Sequence, residues 1–341
     1  MDMERITQED VAKAAGVTRA TVSYVLNDRT NGNVRISEET RLRVLKAVEE
    51  LGYRVNFNAR SLKTNRTQLI AMLVQDLGNP FYPMLIRGAQ LAAQEYGYRM
   101  IIFDSSASAK GEDDFVDMAL HHIADGLLLS SFYLDASDIK TILDDEIPCV
   151  GLGPSLIGMG IDVITADQSA AVDGLIDHLV DRGHTRIAHM TGDLDTINGR
   201  IRLEAYRKAI AAHGQPPVPE WEVEGNFLRE GSAERVLSWY FALPEDRRPS
   251  AMFAANDVMA IEATKALRKR GVEIPGQLAV CGYDDIPEAQ YVEPALTTVG
   301  QDSEAFGREA TRLLIERIEK SSAGEPVYKT FPTELHIRES T

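Results

Sequence analysis

The stretch Thr18-Arg-Ala-Thr-Val-Ser-Tyr-Val-Leu-Asn27 decides how the N-terminal part of this 341-residue chain folds. At 3.6 residues per turn, Val22, Val25 and Leu26 form an apolar stripe, which predicts an amphipathic helix. A second face carries a cation, hydroxyl groups, an amide and a methyl group, contributed by Arg19, Ala20, Ser23, Tyr24 and Asn27. These groups suit the donors, acceptors and thymine methyls that line a DNA major groove.

Another short helix is predicted over Gln8–Ala15, and Gly16-Val17 forms the turn between the two. Thr7 and Thr18 are the expected N-cap residues of these helices. Two helices joined by a short glycine-containing turn are typical of the helix-turn-helix motif. Two helices that only pack in a protein core would give the same local pattern, so the surrounding sequence has to decide.

A third helix is predicted between the capping residue Ser37 and the stop signal Gly52, which completes a small all-α domain. Residues 1–66 carry 12 Lys and Arg against 9 Asp and Glu, whereas residues 67–341 carry 24 against 43. A mildly basic head on an acidic body confines attraction for phosphate to the head. Both observations favour a DNA-binding domain over a pair of core helices.

The cysteines and the hydropathy indicate the general class of protein. Cys149 and Cys281 lie in apolar, strand-like runs, so we expect small buried residues in a reducing compartment. Neither the cysteines nor the seven histidines show metal-ligand spacing, and we predict no metal and no cofactor. The first thirty residues lack a secretory signal, and no apolar run approaches a membrane span. We therefore expect a soluble cytoplasmic protein.

A polar segment, residues 55–66, follows the predicted head. It is too short to be a stable isolated helix, so it either is a solvated linker or becomes ordered against a partner copy or a DNA groove. Leu62, an apolar side chain between Arg60 and Lys63, has the pattern of residues that insert into the minor groove and kink DNA.

From Gln68 onward, strands alternate with helices in two successive series. This order predicts an α/β core of two doubly wound lobes with parallel sheets and a cleft between them. Polar and aromatic side chains follow the predicted strands or open a helix, and they include Asn79, Phe81, Tyr82, Ser130, Arg202, Asn256 and Asp284. Each one alone is more typical of a helix cap or a loop, but the set suits a small polar molecule such as a sugar or nucleobase.

Five segments of the chain form a recognisable set: the head segment 6–27, the hinge motif Ala59-Arg-Ser-Leu-Lys63, and the core motifs Asn79-Pro-Phe-Tyr82, Ala255-Asn-Asp257 and Gly282-Tyr-Asp284. Through these motifs the chain resembles, over essentially its whole length, the LacI/GalR family of bacterial transcription regulators. This resemblance implies a helix-turn-helix headpiece at 1–54, a hinge helix at 55–66 and a core at 67–341 that is similar to periplasmic binding proteins. The two lobes are then expected to comprise 67–166 with 298–325, and 167–297 with 326–341.

The resemblance also extends the candidate sites. Major-groove contacts are expected from Thr18, Arg19, Ala20, Thr21, Ser23, Tyr24 and Asn27, and minor-groove or hinge contacts from Asn56, Ala59, Arg60, Leu62 and Lys63. Contacts to a small-molecule effector are expected from Asn79, Phe81, Tyr82, Ser130, Arg202, Asn256, Asp284 and Gln301. Tyr24 departs from the Arg or His of many members, which leaves the preferred operator bases open.

The implied function is a homodimeric regulator, expected to be a repressor, that binds operator DNA and whose DNA affinity responds to a sugar-like effector. A solute-binding protein would instead need a signal in place of residues 1–66. A Rossmann-type enzyme would need a phosphate-binding loop, and Gly151-Leu-Gly153 lacks its third glycine. Release and recruitment of DNA by the effector are equally compatible with the sequence.

Overall fold

A computed structural model describes residues 6–26, 36–53, 66–320 and 324–341. The chain forms two compact units, Met1–Thr67 and Gln68–Thr341. Six predicted DNA-contact residues lie outside the described residues: Asn27, Asn56, Ala59, Arg60, Leu62 and Lys63. Across the part of the chain that is described, no helix is both long and apolar enough to span a bilayer.

Three helices form the described part of the first unit: α1 (Gln8–Ala15), α2 (Arg19–Leu26) and α3 (Glu38–Leu51). Thr7 caps α1 and exchanges hydrogen bonds with Asp10 in a capping box. Gly16 ends α1 with a φ of 64°, a left-handed conformation that allows the chain to turn at once into α2. Thr18 accepts a hydrogen bond from the Thr21 amide at 3.2 Å, so both predicted caps are confirmed.

The core of this unit is small and aliphatic. Val22 and Val25 of α2 are buried against Val11 and Val44, and Leu26 packs at the margin of the same cluster. The apolar stripe predicted on α2 is therefore the inward face, which leaves the opposite face available to solvent.

Strands and helices alternate through the second unit. Its strands are β1 (Leu69–Val74), β2 (Arg99–Asp104), β3 (Gly126–Leu129), β4 (Cys149–Leu152), β5 (Asp162–Ala166), β6 (Ile187–Met190), β7 (Glu222–Val223), β8 (Ala251–Ala254), β9 (Ala279–Tyr283), β10 (Thr297–Gly300), β11 (Tyr328–Phe331) and β12 (Glu334–His336). Its helices are α4 (Phe81–Glu95), α5 (Ala109–Ala119), α6 (Ala136–Asp144), α7 (Gln168–Asp181), α8 (Ile197–Ala212), α9 (Ser232–Ala242), α10 (Asp257–Lys269) and α11 (Ser303–Lys320).

The strands form two six-stranded sheets, one in each lobe. The first has the order β11-β5-β4-β3-β1-β2 and the second β12-β10-β9-β8-β6-β7. Pairing is parallel throughout except between β10 and β12. Successive side chains point to opposite faces, so Ile70 and Met72 pack under α4 and α11 while Ala71 and Leu73 pack under α5 and α6. The predicted fold class, two doubly wound lobes with a small all-α domain, is confirmed.

The chain passes between the lobes after β5, after β10 and after β11. Two expected lobe boundaries are wrong as a result. β10 pairs with β9 in the second sheet, so the first residues of the range 298–325, expected in the first lobe, lie in the second, while α11 in the same range packs on the first sheet. β11 pairs with β5 in the first sheet, although 326–341 was assigned to the second lobe. Hydrogen-bonded partners decide these assignments, and the local sequence does not reveal which partner a short strand will take.

Helices α4 and α11 approach each other closely because glycines lie at their contact. A Cβ atom at Gly88 would overlap the backbone carbonyl of Glu304, and one at Gly307 would overlap the carbonyl of Leu85. Backbone atoms on a packed helix cannot move aside as the end of a flexible side chain can. The spacing of these two helices, and with it the helix packing on the first sheet, therefore depends on the absence of a side chain at Gly88 and Gly307.

We expect Gly88→Ala to lower the free energy of unfolding by roughly 1–3 kcal/mol, because the added methyl group forces the two helices apart. The matched control is Gly174→Ala in α7, where an added Cβ meets no atom within 4 Å. That change should be neutral or stabilise the helix by up to about 1 kcal/mol. Guanidinium unfolding followed by circular dichroism measures both, and equal midpoints for Gly88→Ala and the parent would contradict the packing argument.

Candidate functional site

A cleft between the two lobes collects the carboxyl ends of strands from both sheets. In each sheet the strand order reverses beside the first strand, β1 in one and β6 in the other, and such reversal points form crevices that bind ligands. The connections after β1 and β3 bring Asn79 and Ser130 to the cleft, and those after β8 and β9 bring Asn256 and Asp284.

The cleft encloses a cavity of about 110 Å³. All eight residues predicted to contact an effector line it, namely Asn79, Phe81, Tyr82, Ser130, Arg202, Asn256, Asp284 and Gln301. The fold therefore brings together side chains that are separated by up to 222 positions in the sequence, from 79 to 301. They provide a guanidinium, a carboxylate, amides, hydroxyls and aromatic rings around one small volume.

Arg202, on α8, is the most highly connected of these side chains. Its Nε donates to Gln168 Oε1 at 2.9 Å, and its Nη1 donates to the carbonyl of Ala255. The guanidinium carbon lies 3.7 Å from the centroid of the Tyr283 ring, a cation–π contact. Only 8% of the residue is exposed. These contacts fix the guanidinium plane before any ligand binds.

Asp284 faces Arg202 across the cavity floor. Its Oδ1 lies 3.8 Å from Arg202 Nη2, and among the described residues its carboxylate receives no hydrogen bond. Burial raises the pKa of Asp284 to about 7, an effect that Arg202 partly opposes. The residue has a φ of 112°, and its amide donates to the Val299 carbonyl at 2.8 Å. Asp284 is thus a fixed, nearly buried carboxyl group with unused acceptor capacity.

A second carboxyl group, Asp257, lies beneath the cavity. It accepts hydrogen bonds from Thr298 Oγ1 at 2.5 Å and from the Ile286 amide at 2.9 Å. Burial, and then the nearby charge of Asp284, raise the pKa of Asp257 well above its ordinary value. These two bonds join Asp257 to the connection after β9 and to β10, and so hold the segment that carries Asp284.

Asn256 serves the fold as well as the cleft. Its Oδ1 caps α10 by accepting from the Met259 amide at 3.0 Å, and its Nδ2 donates to the Phe227 carbonyl at 2.8 Å. Asn79 acts in a similar way, because its Oδ1 accepts from the Phe81 amide at 3.1 Å. Within the described residues, both amides retain N–H donors without a hydrogen-bond acceptor.

The first lobe contributes a hydroxyl pair next to an aromatic pair. Tyr82 and Ser130 lie 3.3 Å apart through their hydroxyl oxygens, and burial raises the pKa of Tyr82 above its ordinary value. The rings of Phe81 and Tyr82 meet edge to face with centroids 5.3 Å apart. This wall therefore presents neutral donors and apolar ring surface.

Sequence reasoning missed several residues of the cleft wall. Gln168 and Asn198 hydrogen-bond to each other at 2.8 Å, and Tyr283 lies under the guanidinium of Arg202. Tyr283 stands inside the core motif Gly282-Tyr-Asp284, so its position was a usable signal. Phe132 and Phe227 lie in loops without periodicity, and only the tertiary structure brings their rings together.

The exposed face of α2 is the candidate DNA interface of the first unit. Thr18, Arg19, Ala20 and Tyr24 are exposed, whereas Thr21 and Ser23 are half-buried. The hydroxyls of Thr18 and Thr21 lie 2.9 Å apart and hydrogen-bond to each other. The predicted reading face is thus the solvent face of the helix, with a cation and an aromatic side chain projecting from it.

Comparison with known proteins agrees with both units. Residues 7–56 match the family described as bacterial regulatory proteins, lacI family, and residues 176–341 match a periplasmic binding protein-like domain. The HTH-type transcriptional repressor PurR of Aliivibrio fischeri (strain ATCC 700601 / ES114) is 32% identical over 328 residues, 96% of each chain. The ribose operon repressor of Escherichia coli (strain K12) is 34% identical over 315 residues, 92% of this chain and 93% of that one.

Solved structures show the same similarity. The transcriptional regulator CelR in complex with cellobiose is 31% identical with a TM-score of 0.73, and the match covers 99% of this chain and 100% of that one. The lac repressor dimer bound to operator and the anti-inducer ONPF is 25% identical with a TM-score of 0.86 over 99% of each chain. Since relatives above 30% identity span more than nine-tenths of its length, the chain belongs to the LacI family of DNA-binding transcriptional regulators.

Proposed function

We propose that this LacI-family protein is a repressor that reads its operator with α2, and that a small polar ring compound bound between the lobes controls its affinity for DNA. The observation that carries the proposal is the convergence of Arg202, Asp284 and aromatic rings on one cavity in a chain that also has a helix-turn-helix unit. The similar curated proteins are named as repressors, so we propose no catalytic role.

On the DNA side, we propose that Arg19, Ala20 and Tyr24 contact base edges in the major groove, with Thr18, Thr21, Ser23 and Asn27 beside them. The sequence of the hinge supports a second contact, in which Leu62 inserts into the minor groove between the cations Arg60 and Lys63. Asn56 and Ala59 belong to the same proposed hinge contact.

On the effector side, we propose a saccharide or a sugar derivative. A ring hydroxyl pair suits the N–H donors that remain at Nη2 of Arg202 and the free acceptors of Asp284, while aromatic walls suit the apolar face of a sugar ring. The CelR structure contains cellobiose, and another relative is named for a ribose operon. The cavity of about 110 Å³ favours a single sugar ring.

We further propose that the regulator acts in the cytoplasm as a homodimer, with one headpiece on each half of a pseudo-palindromic operator. The lac repressor structure that this chain resembles is a dimer on its operator. Effector and operator must then change each other's affinity by the same factor, because binding at one site is thermodynamically linked to binding at the other.

The proposal is tested with the full-length protein in two steps. Selection from a random double-stranded DNA library identifies the preferred operator, and a thermal-shift screen of monosaccharides and nucleosides identifies the effector. Fluorescence titration of the operator with and without that compound then measures the coupling, and its sign distinguishes release from recruitment. A protein that enriches no sequence, or whose operator affinity no screened ligand changes, would refute the proposed function.

Tyr24 is expected to determine part of the operator sequence. Tyr24→Ala should change the preferred base at one or two positions in each half-site, because the variant loses a large side chain from the reading face. The salt dependence of binding should change little, since phosphate contacts and not base contacts determine it. Repeating the library selection measures this, with Glu50→Ala on α3 as the control. An unchanged selected sequence would remove Tyr24 from the base-reading set.

Arg202 is expected to be essential for the response to effector. Arg202→Lys keeps the positive charge but loses the planar donor pair, so we expect the effector Kd to rise at least about tenfold. Calorimetry with the sugar found in the screen measures the Kd, and operator affinity without effector serves as the control because it should stay close to the parent value. A parent-like effector Kd would show that the guanidinium does not contact the ligand.

The pKa of Asp284, about 7, predicts that effector binding depends on pH. As the pH falls from about 8 to about 6, a growing fraction of Asp284 is protonated and loses acceptor capacity for ligand hydroxyls. Effector affinity should therefore fall through this range and level off above about pH 8. Calorimetry across the range tests this for the parent and for Asp284→Asn, which should bind weakly and without this pH dependence. A pH-independent Kd in the parent would contradict the assignment.

A further inference from the structure

Glu112, in the first turn of α5, is a fully buried carboxylate that organises one wall of the cleft. It accepts hydrogen bonds from the backbone amides of Phe132, Tyr133 and Leu134 at 2.9, 3.1 and 2.9 Å. The hydroxyl of Ser131 and the side-chain amide of Gln75 also donate to it. Five donors thus converge on one side chain, and three of them come from consecutive residues of the turn that follows β3.

The same arrangement links this turn to the end of β1. Gln75 Nε2, which donates to Glu112 at 2.8 Å, also donates to the carbonyl of Ser130 at 2.6 Å. The ends of two neighbouring strands and the turn 130–134 are therefore held by a single buried carboxylate. Such a network rigidifies the backbone because the amides of Phe132 and Tyr133 would lose their acceptor without this carboxylate.

Phe132 leaves this turn and reaches the other lobe. Its ring stacks on the ring of Phe227 with a centroid distance of 5.9 Å and an interplanar angle of 29°. Phe132 also packs against the apolar core of the second lobe. The first lobe thus contacts the second through a side chain whose backbone amide is bonded to Glu112.

Phe227 is held equally firmly from its own side. It has a φ of 64°, and its carbonyl accepts a hydrogen bond from Asn256 Nδ2 at 2.8 Å. Its ring lies over Gly192, where a Cβ atom would overlap the ring carbons. Each of the two phenylalanines is therefore held by hydrogen bonds within its own lobe. As a result, a change in the distance between the lobes changes the stacking of the two rings.

We propose that Glu112 is a positioning residue that sets the closure of the two lobes, by holding the turn 130–134 so that Phe132 stacks on Phe227. The inference rests on the proposed function in one respect, namely that a compound bound between the lobes controls the affinity for DNA, and it adds that closure of the lobes is the change through which that compound acts. Glu112 is not among the residues that line the cavity. It acts through the backbone of Phe132.

The test measures the distance between the lobes directly, in the full-length protein without DNA or effector. Spin labels on Ser137→Cys in the first lobe and Glu230→Cys in the second report that distance by double electron–electron resonance. Both positions are exposed, and the native Cys149 and Cys281 are buried. With the labelled protein diluted in an excess of unlabelled protein, so that a dimer carries at most one labelled protomer, we expect one main short distance in the labelled parent and an added population at longer distance in Glu112→Gln and in Phe132→Ala.

Two further variants separate positioning from general stability. Phe132→Tyr keeps the ring and should keep the short distance. The double variant Glu112→Gln with Phe132→Ala should shift the distance no further than either single change, because both act through the same stack.

The matched control is Asp162→Asn, which removes another buried carboxylate of the first lobe. Asp162 pairs with Arg317 at 2.7 Å and accepts from the Val327 amide at 2.7 Å, at the first residue of β5. The Asp162→Asn variant should have a lower melting temperature than the parent and the same inter-lobe distance. If Glu112→Gln behaves like this control, or if Phe132→Ala leaves the distance unchanged, the proposal is wrong. If the protein binds no operator and no effector, the proposed function is wrong, but the distance measurement still tests the role of Glu112.

Discussion

The cleft depends on a buried guanidinium, that of Arg202, which the fold has to satisfy away from water. Taking a cation out of water costs several kcal/mol unless its donors are paired. Gln168, the Ala255 carbonyl and the Tyr283 ring provide part of that pairing from three different segments. The remaining Nη2 lies 3.8 Å from Asp284, beyond hydrogen-bond distance. Arg202 and Asp284 are therefore held close together without a direct hydrogen bond. This arrangement suits a ligand whose hydroxyls lie between the two side chains.

Asp284 lies beside the end of β10, after which the chain passes between the lobes. Asp284 and its neighbour Asp285 both have positive φ, at 112° and 51°, at the point where β9 ends beside β10. Asp285 is held by Arg338 at 2.6 Å and by His336 at 3.3 Å, and these partners follow the third passage of the chain. A ligand that draws Asp284 toward the cavity thus acts on backbone tied to the inter-lobe segments. This provides a physical route from effector binding to the relative position of the lobes.

Much of this fold follows from local sequence, and the reasons are physical. β1, β2 and α11 lie where hydrophobic periodicity places them, because runs such as Leu69–Val74 are buried on both faces. Strands β7, β10 and β11 are not marked by such an apolar run. β7 has two residues, and β11 is largely exposed, so neither has an apolar pattern. These strands form because they hydrogen-bond to a neighbouring strand. That partner is distant in the sequence, so the local residues do not indicate the pairing.

The residues of the site also divide into those that the sequence predicts and those that it does not. Residues in the connections that follow a strand, such as Asn79 and Ser130, were predictable because parallel strands direct their carboxyl ends to one edge. Phe132 and Phe227 were not, since no repeat or motif marks them and their contact spans the two lobes. Glu112 is the clearest case, because a glutamate in the first turn of a helix is ordinarily a solvent-exposed partner of the helix dipole. Here five donors from other segments surround it, and only tertiary structure turns an ordinary helix residue into an organising one.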